Sequence, residues 1–243
     1  MSAAGMLYGV GLGPGDPELM TLKAARLIAG AGVIAYPTLA GAESFARAIA
    51  AGVIPAAAEE IVMDVPMRVD RAPAQAAYDA GAARIAERLA AGRDVVCLCE
   101  GDPFFYGSFM YLFARLSGRF RVEVVPGVSS VNACAAVAGL PLVARNQRLE
   151  ILAGTLPAAE LRDRIVGAEA VAIMKVGRHL GKICTVLDDL GLIGRAVYVE
   201  RATLANQRVQ PLAGMVGDLA PGAAVAVPYF SMILLTKGED PWL

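Results

Sequence analysis

Five consecutive apolar residues, Val95-Val96-Cys97-Leu98-Cys99, most constrain what this chain can fold into. Side chains alternate between the two faces of a strand, so a strand formed by this run is apolar on both faces. Such strands lie at the centre of parallel sheets that helices cover on both sides. Other strand-like segments alternate with helix-like segments along the chain, which is the order of α/β layers. The sequence therefore predicts an α/β fold.

The alternation predicts a set of elements. Strands are expected at residues 7–12, 33–36, 94–99, 121–125, 149–153, 170–176, 196–199, 225–227 and 233–236. Helices are expected at residues 16–30, 74–91, 133–139, 158–166 and 180–190, and a further helix between the loop 100–107 and the strand 121–125. The first helix has Asp16 as its expected N-cap and Pro17 in its first turn. Its expected apolar stripe consists of Leu19, Leu22, Ala25, Leu27 and Ala29. This number of strands is larger than one sheet usually contains. We therefore predict two α/β domains, at residues 1–118 and 119–243.

The composition favours a large buried core, because 56% of the residues are hydrophobic and 19% are charged. The formal net charge of −1 argues against a protein that binds nucleic acid by neutralising phosphates. A local basic cleft for an acidic ligand remains compatible with this charge. Four cysteines and one histidine are too few and too scattered to predict a disulfide framework or a zinc site. We expect buried, reduced cysteines.

Residues 1–15 lack the basic start and the apolar stretch of a secretory signal. Residues 124–144 carry no charge and are long enough to span a membrane. This segment contains Pro126, Gly127, Gly139 and Pro141, which disfavour a lipid-facing helix. It is therefore expected to form a strand end, a turn and a buried helix, and the protein is expected to be cytoplasmic.

Three stretches follow predicted strands at the edge where open α/β sheets bind ligands. They comprise residues 9–16, 100–107 and 126–130. The first is rich in glycine but contains neither G-x-G-x-x-G nor Gly-Lys-Ser/Thr, and its prolines lack amide donors for a phosphate. It is either a tight strand-to-helix turn or a loop whose backbone a bulky ligand approaches closely. The second stretch combines glycine backbone without side chains, the Asp102 carboxylate and aromatic rings. The third stretch places Ser129, a possible N-cap, where a helix begins.

Together these stretches resemble the motifs of the tetrapyrrole (corrin and porphyrin) methyltransferases. The first runs Gly-Val-Gly-Leu-Gly-Pro-Gly-Asp-Pro, the second Glu-Gly-Asp-Pro-Phe-Phe-Tyr-Gly, and the third Pro-Gly-Val-Ser-Ser continuing to Ala-Gly-Leu-Pro-Leu. Residues 175–178 and 200–209 are similar to two later motifs of the family. The five motifs occur in the family's order and extend over residues 7 to about 236, nearly the whole chain.

The resemblance implies two α/β domains with S-adenosylmethionine held in the cleft between them, usually in a homodimer. It implies eight cofactor-contacting positions: Pro14, Gly101, Asp102, Phe105, Ser129, Ser130, Val176 and Ala202. Ala202 would present its backbone to the adenine. One departure concerns Lys175 and Val176, which stand where many members have Tyr-Met. The shape of the methionine contact can survive with valine, but the tyrosine hydroxyl is lost.

Residues 174–180 and 229–235 look most like the precorrin-2 C20-methyltransferases. This branch implies methylation of precorrin-2 at C20, giving precorrin-3A, in cobalamin biosynthesis. The alternatives are another corrin-ring methylase, including the cobalt-carrying version of the C20 step, or a non-catalytic nucleotide-binding α/β module. The module would keep the glycine turns but bind phosphates, and the missing phosphate-binding motifs count against it.

A precorrin carries acetate and propionate side chains, for which Arg and Lys are the natural partners. We assign Arg145, Arg148, Lys175 and Arg178 as candidate substrate contacts. Further cations predicted in loops or at strand ends are Arg68, Arg71 and Arg201. Each could equally be a solvated surface charge. No catalytic base is assigned, because the candidates Asp102 and Lys175 are equally explained by cofactor and substrate binding, and His179 is expected to be a surface or packing residue.

Overall fold

The computed structural model describes residues 3–39, 42–66, 70–217 and 227–238. The chain forms two compact units, Met1–Ser129 and Ser130–Leu243. In the described residues each unit contains one five-stranded sheet. The predicted α/β class and the division into two α/β units are therefore observed.

The first unit is built on a parallel sheet of order β3-β2-β4-β1-β5. Its strands are β1 (Met6–Gly11), β2 (Val33–Thr38), β3 (Glu59–Asp64), β4 (Val95–Cys99) and β5 (Arg121–Val125). Its helices are α1 (Leu22–Ala29), α2 (Phe45–Ala50), α3 (Ala72–Ala90) and α4 (Phe109–Leu116). All five residues of β4 are buried, and the strand lies at the centre of the sheet. The prediction made from its two apolar faces is confirmed.

The predicted helix at residues 16–30 is two elements instead of one. Asp16 caps a short 3-10 turn, Pro17–Leu19, by accepting a hydrogen bond from the Glu18 amide. Thr21 then starts α1 with its own side-chain cap on Ala24. The break changes which residues face the core: Ala24 and Ile28 are buried, whereas Leu22 is 91% exposed. The predicted apolar stripe was therefore wrong at Leu22 and Ala29, which are exposed, whereas Leu27 packs against the core.

The boundary between the units lies later than the predicted position after residue 118. The reason is that β5 pairs with β1 along its whole length and so completes the first sheet. Contacts divide the chain between Ser129 and Ser130. The sequence does not show this, because β5 follows α4 without any feature that marks which sheet it joins.

The second unit is built on a mixed sheet of order β6-β7-β10-β8-β9. Its strands are β6 (Leu149–Ala153), β7 (Ala170–Met174), β8 (Ala196–Glu200), β9 (Arg208–Pro211) and β10 (Ser231–Thr236). Its helices are α5 (Ser130–Val137), α6 (Ala158–Gly167), α7 (Leu180–Asp189) and α8 (Leu212–Gly217). Only β6 and β7 pair in parallel; β10 and β9 run antiparallel to their neighbours. Elements α2, β3, β9 and α8 were not predicted. The strand predicted at 225–227 falls mostly outside the described residues, which resume at residue 227.

The four cysteines are buried and unpaired, as expected. Burial raises the pKa of Cys134 to about 12 and that of Cys184 to about 11, so both are protonated thiols at neutral pH. Within the described parts of the chain, no helix combines the length and apolarity needed to cross a membrane. The uncharged segment 124–144 contains the end of β5 and the eight-residue helix α5.

Candidate functional site

The first two motif loops are joined by their backbones at the carboxyl edge of the first sheet. Gly13 donates its amide to the Gly101 carbonyl at 3.2 Å, and Gly101 donates back to the Gly13 carbonyl at 2.8 Å. These residues follow β1 and β4, which are neighbouring strands. The predicted convergence of these two stretches is observed.

Glycine is required where the third loop meets the first two. A Cβ on Gly127 would lie 2.1 Å from the Gly101 carbonyl oxygen, and one on Gly11 would lie 2.6 Å from the Gly127 amide nitrogen. Gly101 adopts a left-handed φ of 62°, which disfavours any L side chain. The nearest atom to a Cβ on Gly101 is the Val128 carbonyl oxygen at 3.9 Å, so space is open beside this backbone. The loops thus present bare peptide groups toward a free volume.

Asp102 fixes the second and third loops to each other. Its Oδ1 accepts from the amides of Phe104 at 2.9 Å and Phe105 at 3.1 Å. Its Oδ2 accepts from the Gly127 amide at 3.0 Å. A carboxylate offers about four lone-pair positions, so Oδ2 keeps one for a ligand hydroxyl. The carboxylate is therefore first a support for the loops, a role that the sequence did not reveal.

Aromatic rings flank this loop. Phe105 is half-buried, and its ring lies edge-on to that of Tyr106 at 5.2 Å. Phe104 and Tyr106 are about half exposed. Pro14 in the first loop is partly exposed, as are Ser129 and Ser130 at the start of α5. All of these predicted positions except Ser130 belong to the first unit.

Glu100 is a residue of this edge that the motif analysis did not select. It follows β4 directly and is exposed to solvent as a whole residue. Local desolvation nevertheless raises the pKa of its carboxyl to about 6, against the opposing effect of a hydrogen bond from the Ala46 amide. A titratable group at the end of a buried strand is a signal that could have identified it.

The second unit carries the remaining candidates, beginning at the carboxyl end of β7. Lys175 follows the strand directly, is partly buried and has a left-handed φ of 58°. Val176 is fully buried in the core of this unit, main chain included, so the structure does not present it to a ligand. Arg178 is exposed on the 3-10 turn Gly177–His179. His179 is partly exposed, and desolvation followed by the charges of Lys182 and Arg178 lowers its pKa.

The other predicted cations differ in availability. Arg145 is exposed, with a φ of 50°, in a turn closed by the Gln147 amide and the Ala144 carbonyl at 3.0 Å. Arg148 is 70% exposed at its side chain and pairs with Glu169 at 3.4 Å, so its charge is partly neutralised. Arg71 donates to the Tyr111 hydroxyl at 3.2 Å. Arg68 lies outside the described residues.

Ala202 lies in a strained turn after β8. Its neighbours Arg201 and Thr203 have left-handed φ angles of 48° and 71°. The preceding Glu200 is buried, accepts from the Tyr198 hydroxyl at 2.8 Å and pairs with Arg201. Burial, and then this hydrogen bond, raise the pKa of Tyr198, which therefore stays a neutral donor. The sequence motif included Glu200, but its burial was not foreseen.

Backbone strain in the described chain concentrates at the predicted functional stretches. The non-glycine residues with left-handed φ are Tyr106, Arg145, Lys175, Arg201 and Thr203. Tyr106 belongs to the second motif loop, two are candidate substrate contacts, and the last two flank Ala202. Such a conformation costs about 1–3 kcal/mol per residue and persists where the surroundings impose it, most often at functional sites.

A model of one protein family, the Tetrapyrrole (Corrin/Porphyrin) Methylases, matches residues 6–215 and so covers the strained turn as well as all three loops. The chain belongs to this family.

Known proteins similar to this tetrapyrrole methylase extend the comparison. The precorrin-2 C(20)-methyltransferase of a Sinorhizobium species is 42% identical, covering 97% of each chain. The cobalamin biosynthesis protein CobIJ of Mycobacterium tuberculosis is 45% identical over 98% of this chain, which spans about half the length of that relative (47%). The crystal structure of uroporphyrin-III C-methyl transferase from Thermus thermophilus, complexed with S-adenyl homocysteine, is 27% identical with a TM-score of 0.67 and covers 96% of this chain and 92% of that one.

These matches confirm the family resemblance drawn from the five motifs and the fold of two α/β units. They do not favour the alternative of a non-catalytic nucleotide-binding module, because the methylase match runs from the first strand to the last helix of the described chain.

Proposed function

We propose that this methylase transfers a methyl group from S-adenosylmethionine to C20 of precorrin-2, giving precorrin-3A in cobalamin biosynthesis. The observation that carries the proposal is the 42% identity to a precorrin-2 C(20)-methyltransferase along nearly the full length of both chains. An alignment of this extent spans the sheets, the three loops and the strained turn. The CobIJ relative is about twice as long, so the activity of its whole chain is not transferred to this one.

The three loops of the first unit have the features that a bulky cofactor needs. Open space beside Gly101 allows a ligand to approach the peptide backbone closely. The free lone pair on Asp102 Oδ2 suits a ribose hydroxyl. The partly exposed Pro14, Phe105 and Ser129 add apolar and hydroxyl contacts. We assign these residues, with Ser130, to cofactor binding.

In the second unit we assign a cofactor contact to the backbone of Ala202. The contact expected at Val176 is not assigned, because that residue is fully buried. The turn around Ala202 is held in one conformation by the Thr203 amide, which donates to the Gln207 side chain at 2.7 Å. A rigid turn with a small side chain at its centre, Ala202, suits recognition of adenine by peptide groups. The bound S-adenosylmethionine would supply an activated methyl group with a neutral sulfur leaving group.

The protein's contribution to such a transfer is mainly alignment. Holding two reactants in line can lower a barrier by about 7–11 kcal/mol in favourable cases. The loops are suited to this task, because Asp102 and the reciprocal Gly13–Gly101 bonds fix them. The macrocycle carbon is itself electron-rich, so a base is needed only to remove a proton after transfer.

The acidic side chains of precorrin-2 would pair with cations of the second unit. Lys175 and Arg178 follow the end of β7, and Arg145 is exposed in a strained turn. Arg148 is the weakest of the four candidates because its guanidinium already forms an ion pair with Glu169. Salt should therefore raise the KM for the tetrapyrrole more than the KM for the cofactor.

We also propose that the enzyme works as a homodimer in the cytoplasm. Four buried, unpaired cysteines suit a reducing compartment. Light scattering coupled to size exclusion would measure the mass of the assembly, and a monomer at micromolar concentration would contradict the dimer.

Isothermal calorimetry with S-adenosylhomocysteine, ATP and NAD tests the cofactor assignment. The proposal predicts binding of S-adenosylhomocysteine and no measurable binding of the other two. Preferential binding of ATP or NAD would contradict it and would support a nucleotide-binding module instead.

A further inference from the structure

The buried carboxylate of Glu200 ends β8, two residues before Ala202. We infer that Glu200 is a positioning residue that holds the Arg201–Thr203 turn in the conformation that meets the adenine of the cofactor. The inference rests on the proposed contact at Ala202. It gives a role to a residue that would not itself touch the cofactor.

A carboxylate in this position requires explanation, because Glu200 is only 4% exposed. Burying a charge is unfavourable unless partners compensate for lost water, and an apolar residue of similar volume is often at least as stabilising. Tyr198 donates to Oε2 at 2.8 Å, Arg201 contacts Oε1, and Nη1 of Arg208 lies 3.9 Å from Oε2. The partners belong to β8, the turn and β9. The carboxylate therefore ties the turn to the sheet.

The ion pair between Glu200 and Arg201 depends on the backbone conformation. Successive side chains of a strand point to opposite faces, so the two would point apart if β8 continued. The left-handed φ of 48° at Arg201 instead brings its guanidinium to the carboxylate. Because L residues disfavour this conformation, the ion pair supplies an interaction that selects it.

The rest of the turn is fixed at both ends by other hydrogen bonds. The Arg201 amide donates to the Phe230 carbonyl at 2.8 Å, and the Leu204 amide donates to the Arg201 carbonyl at 3.1 Å. Ala202 lies between the two left-handed residues and is 8% exposed. A change of φ at Arg201 would therefore reorient the peptide groups of Ala202.

The deciding experiment compares Arg201→Ala with Arg201→Gly. Both variants lack the guanidinium, but only glycine adopts the left-handed conformation without penalty. Arg201→Ala should weaken binding of S-adenosylhomocysteine, and of adenosine alone, by about tenfold in calorimetry. Arg201→Gly should stay within about threefold of the wild type.

Glu200→Gln should cause a similar loss, because the neutral amide no longer attracts Arg201 as strongly. Adding Arg201→Gly to Glu200→Gln should restore most of the affinity. The matched control is Glu160→Gln, which breaks a surface ion pair with Arg164 in the same unit and should leave cofactor binding unchanged. If Glu200→Gln fails to fold in thermal melts, the comparison of alanine and glycine at Arg201 decides alone.

Two results would overturn the inference, and they are distinguishable. Equal affinities of Arg201→Ala and Arg201→Gly, with a wild type that binds S-adenosylhomocysteine, would show that the left-handed conformation does not control the site. A wild type that does not bind S-adenosylhomocysteine would instead contradict the proposed function, and the inference would fall with it.

Discussion

Asp102 Oδ2 accepts a hydrogen bond from the Gly127 amide at 3.0 Å, across 25 residues of sequence. This bond joins the loop after β4 to the loop after β5, which are not neighbouring strands, since β1 lies between them. The same carboxylate caps the amides of Phe104 and Phe105 through Oδ1. One side chain thus sets the spacing of two loops that we assign to the cofactor.

Asp102→Asn tests this support. An asparagine side chain has only one acceptor oxygen. Its NH2 group would therefore face a backbone amide, so that two donors would point at each other. We expect a loss of about 1–3 kcal/mol in the free energy of unfolding, together with weaker binding of S-adenosylhomocysteine. Urea melts and calorimetry measure the two effects. Asp79→Asn, at an exposed ion pair with Arg115, is the control and should change stability by less than about 0.5 kcal/mol. Equal effects of the two substitutions would show that Asp102 does not support the loops.

Gly127 and Gly101 should respond differently to an added methyl group. A Cβ on Gly127 would lie 2.1 Å from backbone, so Gly127→Ala should destabilise the fold by about 1–3 kcal/mol or more. A Cβ on Gly101 has room, so Gly101→Ala should keep the fold apart from about 1–2 kcal/mol of strain. Its Cβ would enter the proposed ligand volume and weaken S-adenosylhomocysteine binding by about tenfold. Gly118→Ala, with nothing within 4 Å, is the control. Wild-type affinity in Gly101→Ala would remove this loop from the site.

Lys175→Met deletes a charge while keeping most of the side-chain stem. Because Lys175 is assigned to a substrate carboxylate, kcat/KM for precorrin-2 should fall by one to two powers of ten, about 1.4–2.7 kcal/mol. Binding of S-adenosylhomocysteine should remain nearly normal. Lys23→Met, at an exposed ion pair with Glu123, should leave kcat/KM unchanged. Wild-type turnover by Lys175→Met would mean that this lysine does not contact the substrate.

The raised pKa of Glu100 predicts a pH-dependent difference in stability between the wild type and Glu100→Gln. Its folded-state pKa of about 6 is raised from the ordinary value of 4.5, so the charged form is unfavourable in the folded protein. This penalty is fully present above pH 6 and is lost as the pH falls through 6 toward 4.5. Glu100→Gln should therefore raise the stability at pH 7.5 by roughly 1 kcal/mol, allowing for solvent screening, and the gain should vanish near pH 4.5. A difference that is constant from pH 4.5 to 7.5 would contradict the shifted pKa.

Much of the fold followed from local patterns in the sequence. The two apolar faces of 95–99 predicted β4, and the predicted strands 121–125 and 149–153 coincide with β5 and β6. The prediction of one continuous helix at residues 16–30 was wrong at Thr21. A second N-cap inside a continuous apolar pattern starts a new helix there and rotates its buried face. The short strand β9 was missed because its residues are mostly exposed and its pairing with β8 is a tertiary effect.

The site was predicted less completely, because several roles depend on distant partners. Glycine patterns located the three loops, but the contact of Gly127 with Gly101 and Gly11 appears only in the folded chain. The hydrogen bond from Gly127 gives Asp102 a loop-supporting role in addition to the expected ligand contact. The burial of Val176 likewise reflects packing in the core of the second unit, which a motif comparison does not report.

The most direct test of the proposed function is the structure of the product formed from precorrin-2. The purified protein would be incubated with precorrin-2 and S-adenosylmethionine carrying a labelled methyl group, and the product analysed by mass spectrometry and NMR. The proposed function predicts transfer of one labelled methyl group, with its NMR signal at C20. The cobalt-carrying substrate, assayed in parallel, tests the alternative of the cobalt version of the C20 step. Transfer to a different ring carbon, or no transfer to precorrin-2 by a protein that binds S-adenosylhomocysteine, would contradict the proposal.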